Sequence, residues 1–206
     1  MFGKQRNDSR SSAPDPDPPA PGWDAITKHI ERFYPKTEPV HMAPERGVAL
    51  GGALDGISAY RGAEFWQFVT YGLTEVFTKE SDDPKTSGWG YELTMRTPIT
   101  EAAPPQWPFG VLLSLARLTQ SQGEMFGQGH RLQTGHPLAG LPTRLTAVAF
   151  TVDPLLGAID TPHGRVEFLL VVGITDEELS RMKASSTTVV LQQMTDLVTD
   201  PARAPA

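Results

Sequence analysis

Residues 89–96, WGYELTMR, put Trp89, Tyr91, Leu93 and Met95 on one side of an extended chain and Gly90, Glu92, Thr94 and Arg96 on the other. Successive side chains of a strand point to opposite faces. This period of two predicts a strand with one face buried and the other wet or only partly covered. A sheet with an apolar face must bury it against a second layer, so the question becomes what the rest of the chain supplies.

It supplies helices and more strands. Trp23, Ile26, Ile30 and Phe33 recur at the helical period, which predicts a helix over 23–34 that Pro35 stops. A second helix is expected over 108–122, with Pro108 in its first turn and Val111, Leu112, Leu115 and Leu118 inward. Thr175 and Glu178 form a capping-box signal, and a last helix is expected over 187–199 on a stripe of Val190, Met194, Leu197 and Val198. Further strands are expected at 40–42, 57–60, 65–71, 145–152 and 165–172, the run 145–152 being apolar on both faces and therefore central. A turn at Thr161-Pro162-His163-Gly164 joins a short strand to the run at 165–172. The order predicts an α+β domain: a mixed, largely antiparallel sheet flanked by helices.

One folded domain is expected over 22–200. Residues 1–21, with prolines at 14, 16, 18, 19 and 21, are expected to be a disordered tail, and 201–206 a second, frayed one. The chain has no cysteine, which excludes disulfides, thiol nucleophiles and cysteine metal sites. Basic residues at the N-terminus lack an apolar run behind them, so no secretory signal is read, and no stretch approaches a membrane span; the expected address is the cytoplasm. A net charge of −6 without a Lys/Arg cluster argues against a nucleic-acid partner.

Catalytic signatures are missing. The glycines of 51–56 are followed by no Lys-Ser/Thr pair, so they read as a turn before a strand rather than a phosphate loop. No serine sits in a GxSxG elbow, and no histidine pair lies in an HExxH arrangement. Glu124, His130 and His136 share a glycine-rich region and are the only set read as metal ligands; a metal-assisted hydrolase on these three is the alternative function, and a self-associating structural domain is another. His163 reads as a hairpin-turn residue. No cofactor is expected. The remaining candidate is the acidic stretch Glu75, Glu80, Asp82 and Asp83, a loop between two strands that is suited to a basic partner.

The motifs FWQFVTYGLTEVF (65–77), SGWGYELTMR (87–96), PPQWPFGVLLSLAR (104–117), a GxGH loop (127–130), DPLLGAIDTPHGRVEFLLVVGIT (153–175) and the EEL after it resemble, in this order, the suppressor-of-fused domain. The helix at 23–34 and LDGISAYR (54–61) fit as well. The resemblance implies a mixed α/β domain that acts by binding a protein and catalyses nothing. In the animal members a second domain follows, and the two clamp an extended segment that adds as a strand. This chain ends where that second domain would begin, so the expectation is a single-domain, bacterial-type member, possible roles being an immunity protein against a toxin domain or another regulator. The resemblance implies that the ligand of the animal members lies along the segment of the domain that matches residues 77–83 here, with Phe77 and Asp83 the nearest counterparts. The partner-binding residues expected are Phe77, Glu80, Asp82 and Asp83. Trp66, Phe68, Trp89, Tyr91 and Trp107 are expected in the core, and Gly72, Gly88, Gly90 and Gly164 as backbone requirements.

Overall fold

A computed structural model describes residues 19–140, 142–194 and 196–203. Most of the expected N-terminal tail, and residues 204–206, therefore lie outside the described residues. Helix α1 (Pro21–Glu31) begins with a proline whose missing N–H would be unpaired in a first turn anyway. Ile26 and Ile30 are buried as expected. Phe33 lies past the helix end and is exposed, and Tyr34 takes the inward place instead.

Strands β1 (Val40–Met42), β2 (Gly56–Arg61), β3 (Phe65–Tyr71) and β4 (Thr86–Pro98) form an antiparallel run. Helix α2 (Trp107–Gln122) follows, then β5 (Arg131–Gln133), β6 (Leu145–Val152), β7 (Ala158–Thr161) and β8 (Gly164–Thr175). The sheet order is β1-β2-β3-β4-β8-β6-β5, with β7 also paired to β8. Only β4 and β8 run parallel, so the sheet is mixed and largely antiparallel. Helices α3 (Asp176–Ala184) and α4 (Thr187–Gln192) close the fold. No helix among the described residues is long and apolar enough to cross a membrane.

The two sheet faces have different covers. Phe68, Leu93, Met95, Val148, Phe150 and Val171 pack under α2. That helix turns Leu112, Leu115 and Ala116 inward, while Val111 and Leu118 sit at its half-buried margin. On the opposite face, α1 covers Tyr60, Val69, Tyr71 and Phe168, and α3 with α4 covers Ala147, Ala149, Leu170 and Ile174. Strand β6 is thus apolar on both sides because both sides are covered.

Thr175 caps α3 as its spacing predicts: its hydroxyl accepts the Glu178 N–H at 3.2 Å, and the Glu178 carboxylate accepts the Thr175 N–H at 2.9 Å. Thr175→Ala removes one arm of that box and lowers stability by about 1 kcal/mol, read from the urea midpoint. Helix α4 stops at Gln192, well short of the expected residue 199. Beyond it the chain finds other partners. Asp196 accepts the Val198 N–H at 3.0 Å, and the Thr199 N–H bonds the Arg96 carbonyl at 2.8 Å. Met194 and Leu197 still pack on α3 and α4, from outside the helix. Residues 201–203 belong to the folded body rather than to a tail, because Arg203 donates to Glu178 at 2.6 and 3.0 Å and to the Gly173 carbonyl at 2.8 Å.

The second face of β4 corrects the opening expectation. It is not wet: Glu92 and Thr94 are fully buried and Arg96 is 8 % exposed. Polar groups survive there because they satisfy one another. The Arg96 guanidinium pairs with Asp153, and its Nε donates to Gln67 at 2.9 Å. Asp153 also accepts from Thr94 Oγ1 at 2.8 Å and from the N–H groups of Leu155 and Leu156 at 2.9 and 3.2 Å.

Candidate functional site

Strands β3 and β4 stay paired only from Phe65↔Pro98 to Val69↔Thr94. They then separate, and the loop between them, residues 72–85, leaves from the fork. Glu92 sits in the fork and stands in for the lost ladder. Its Oε1 accepts the N–H groups of Gly72 and Thr74 at 3.0 and 2.9 Å and the Thr74 hydroxyl at 2.6 Å. Its Oε2 accepts the Thr70 hydroxyl at 2.6 Å, while Thr70 Oγ1 takes the Leu93 N–H. Burial pushes the Glu92 carboxyl up to about 7, against the four donors from Thr70, Thr74 and Gly72 that favour its charged form.

The middle of the loop is organised by Glu75. Its carboxylate accepts the N–H groups of Glu80, Ser81 and Gly88 at 2.7, 2.5 and 3.1 Å, and Lys79 Nζ at 2.9 Å. Desolvation opposes ionisation here, but the Ser81 N–H, the Lys79 ammonium and the other donors outweigh it and hold the carboxyl at about 2. Lys79 also reaches the Thr86 carbonyl at 2.6 Å. The loop backbone is tied in turn to the body. The Glu75 carbonyl accepts His163 Nδ1–H at 2.5 Å, and the Val76 carbonyl accepts the first free N–H groups of α1, from Gly22 and Trp23, at 3.0 and 3.1 Å. His163 is therefore a buried strut as well as a turn residue.

Two glycines are fixed by this arrangement. Gly88 has φ of 52°, and a Cβ there would lie 2.7 Å from the Leu73 carbonyl oxygen. Gly164 has φ of 115°, and a Cβ there would lie 2.8 Å from the Thr86 backbone. Both allow the fork and the β7–β8 turn to pack backbone on backbone.

Phe77 stands out of this clamped loop with 40 % of its surface exposed. It lines a groove of about 1250 Å³ together with Pro21, Val48, Asp55, Glu80 and Trp89. Trp89, expected in the core, is half-buried on the groove wall. Its Nε1–H donates to Gln120 Oε1 at 3.0 Å, and Gln120 Nε2 donates to the Gly72 carbonyl at 3.1 Å, so α2 holds it in place. Trp66, Phe68 and Tyr91 are buried, and Trp107 packs at the margin of the core. Asp55 accepts the Val48 N–H at 2.9 Å, and burial raises its carboxyl above the ordinary value.

Phe77 and Glu80 thus share the groove wall. Asp82 and Asp83 are exposed on the same loop but do not line the groove. Asp83 accepts the Lys85 N–H at 2.9 Å, which holds its carboxyl below the usual range. Glu75, read from the sequence as part of an acidic surface, is scaffold. Glu124, His130 and His136 are exposed at separate places, one after α2 and the two histidines at either end of β5, and no group of three or more such ligands among the described residues is placed to hold a metal.

A family model described as "Suppressor of fused protein (SUFU)" matches residues 52–204. The chain is 32 % identical over 178 residues to the suppressor of fused homologs of Homo sapiens and Mus musculus, a match that covers 77 % of this chain. It spans only 36 % of the length of those curated relatives. Among solved structures, a chain of the Sufu–Fu complex superposes with a TM-score of 0.83 at 28 % identity, over 91 % of this chain and 93 % of that one. Drosophila Suppressor of Fused gives 0.83 at 27 % identity, over 91 % of this chain and 51 % of that one. A suppressor-of-fused homolog of Neisseria gonorrhoeae shares the fold, with a TM-score of 0.67 at 15 % identity, over 89 % of this chain and 96 % of that one.

Proposed function

The chain belongs to the suppressor-of-fused family, and on that premise we propose that it is a non-enzymatic module that binds a protein partner in the Phe77 groove. The observation that carries this is a part-exposed aromatic on a loop fixed at both ends and in the middle. Loops held by a rigid scaffold are where binding residues concentrate. An aromatic presented in this way loses little freedom on binding, which is what a hot spot needs. Glu80 in the groove, with Asp82 and Asp83 beside it, favours an extended segment carrying basic residues. Main-chain hydrogen bonding of a strand-like segment is the mode that suits such a ligand.

Neutralising a toxin domain in the cytoplasm, an immunity role, is the specific form of this reading; another regulatory role in the same compartment is its alternative. A neighbouring gene for a large toxin supports the first.

The test uses a partner captured from native cells on the tagged chain. Phe77→Ala weakens its binding by about 2 kcal/mol, roughly thirtyfold in Kd. Asp82→Lys with Asp83→Lys slows association and flattens its dependence on salt. Unchanged affinity in a folded Phe77→Ala chain overturns the site.

A further inference from the structure

The groove wall nearest α1 is built by Pro19 and Pro21, so the eighteen residues ahead of Pro19 join the described fold at the groove itself. Their sequence, MFGKQRNDSRSSAPDPDP, falls into two parts. Residues 1–12 hold Lys4, Arg6 and Arg10 against one acid, Asp8, and contain one aromatic, Phe2. Residues 13–18 hold the acids Asp15 and Asp17 among three prolines.

The groove and its loop carry the complementary chemistry. Lys79 is taken up by Glu75. Among the groove-lining residues and the loop 72–85, that leaves Asp55, Glu80, Asp82 and Asp83 against Lys85, next to an apolar wall of Phe77, Val48 and Trp89, while Arg46 and Arg117 line an adjoining pocket on the other side of Val48 and Gln120. A basic segment with one aromatic is the class of ligand this surface fits. We infer that residues 1–12 of the chain are themselves such a ligand, occupying the groove in cis so that a partner must displace them. This rests on the reading of the groove as a protein-binding site.

Reach and energetics allow it. A chain extends at most about 3.6 Å per residue, so the nine steps from Arg10 to Pro19 span up to about 30 Å. A short tether gives an effective concentration of about a millimolar. A segment with an intrinsic Kd of about 0.1 mM is then mostly bound, and it lowers a partner's apparent affinity about tenfold.

The test is made first on the full chain without any partner. Lys4, Arg6 and Arg10 are replaced by glutamate together, and backbone amides of residues 73–82 and the Trp89 indole N–H are followed by NMR. Reversing the tail charge is expected to shift these signals. About 0.5 M salt, which shortens electrostatic reach to a few ångström, should move the wild-type signals the same way. Both effects should be independent of protein concentration. Signals unmoved by the charge reversal overturn the proposal, and so do shifts that vanish on dilution, which would place the tail of a second copy in the groove. With a captured partner, the same triple variant binds about tenfold tighter if the tail competes; equal affinity overturns competition. The two readings fail separately. Silent NMR signals with a Phe77→Ala binding defect remove only the tail proposal. Partner binding that ignores Phe77→Ala removes the site assignment, whatever the tail does.

Discussion

Asp153→Ala lowers the free energy of unfolding by about 3–5 kcal/mol. The carboxylate is fully buried, and it receives the Arg96 guanidinium, the Thr94 hydroxyl and two backbone N–H groups at the turn after β6. Removing it leaves a nearly buried cation with, among the described residues, the Gln67 side chain and the Phe65 ring, 5.0 Å away, for company. An uncompensated buried charge costs far more than the pair contributes net. Replacing both partners with apolar residues, Arg96→Met with Asp153→Leu, should therefore recover much of the loss. Domains of this size have about 5–15 kcal/mol in all, so the single variant loses a large share of the total. Urea titrations followed by tryptophan fluorescence measure both; a loss below about 1 kcal/mol in Asp153→Ala contradicts the network as described.

Glu92→Gln removes a pH dependence of about 3 kcal/mol. The carboxyl has an ordinary value of 4.5 and is raised to about 7 in the fold. Between those values the folded chain keeps a proton that the unfolded chain has released, so stability falls as pH rises from about 4.5 through about 7. A shift of that size corresponds to about 3 kcal/mol. Glutamine keeps an oxygen for Gly72 and Thr74 and offers an N–H to Thr70, so the fork survives without the charge. The variant's stability is then flat across this window where the wild type declines. Glu75 works in a separate window and with opposite sign. Its carboxyl is held at about 2, so the stability it contributes is complete above 4.5 and is lost as the pH falls toward 2. Parallel pH profiles for wild type and Glu92→Gln would show that Glu92 titrates normally.

Period and punctuation made most of the fold legible. The apolar run 145–152 coincides with β6, and the Thr175–Glu178 spacing specifies both hydrogen bonds of the α3 capping box. Failures came where a distant group decided the outcome. The alternation in β4 reports that Glu92, Thr94 and Arg96 are polar, but not that Asp153, some sixty residues on, lets that face be buried. The stripe over 187–199 looks helical because nothing local reveals that Thr199 will bond the Arg96 carbonyl instead. A tryptophan in an alternating strand is usually core; the position of Trp89 beside the fork, where β3 has left, depends on pairing that only the three-dimensional register shows. The scaffold role of Glu75 is hidden for the same reason, since its donors come from both sides of a loop. The family resemblance points to Phe77 and the acidic run to Glu80, and the structure adds the groove they share.

The most direct test of partner binding in this groove is amide hydrogen exchange on the chain alone and in complex with the captured partner. New protection is expected in residues 73–82 and 88–90, with little change at the far sheet edge in β5. Protection centred on β5 or on α3 and α4, with the Phe77 loop exchanging as freely as in the unbound chain, would contradict it.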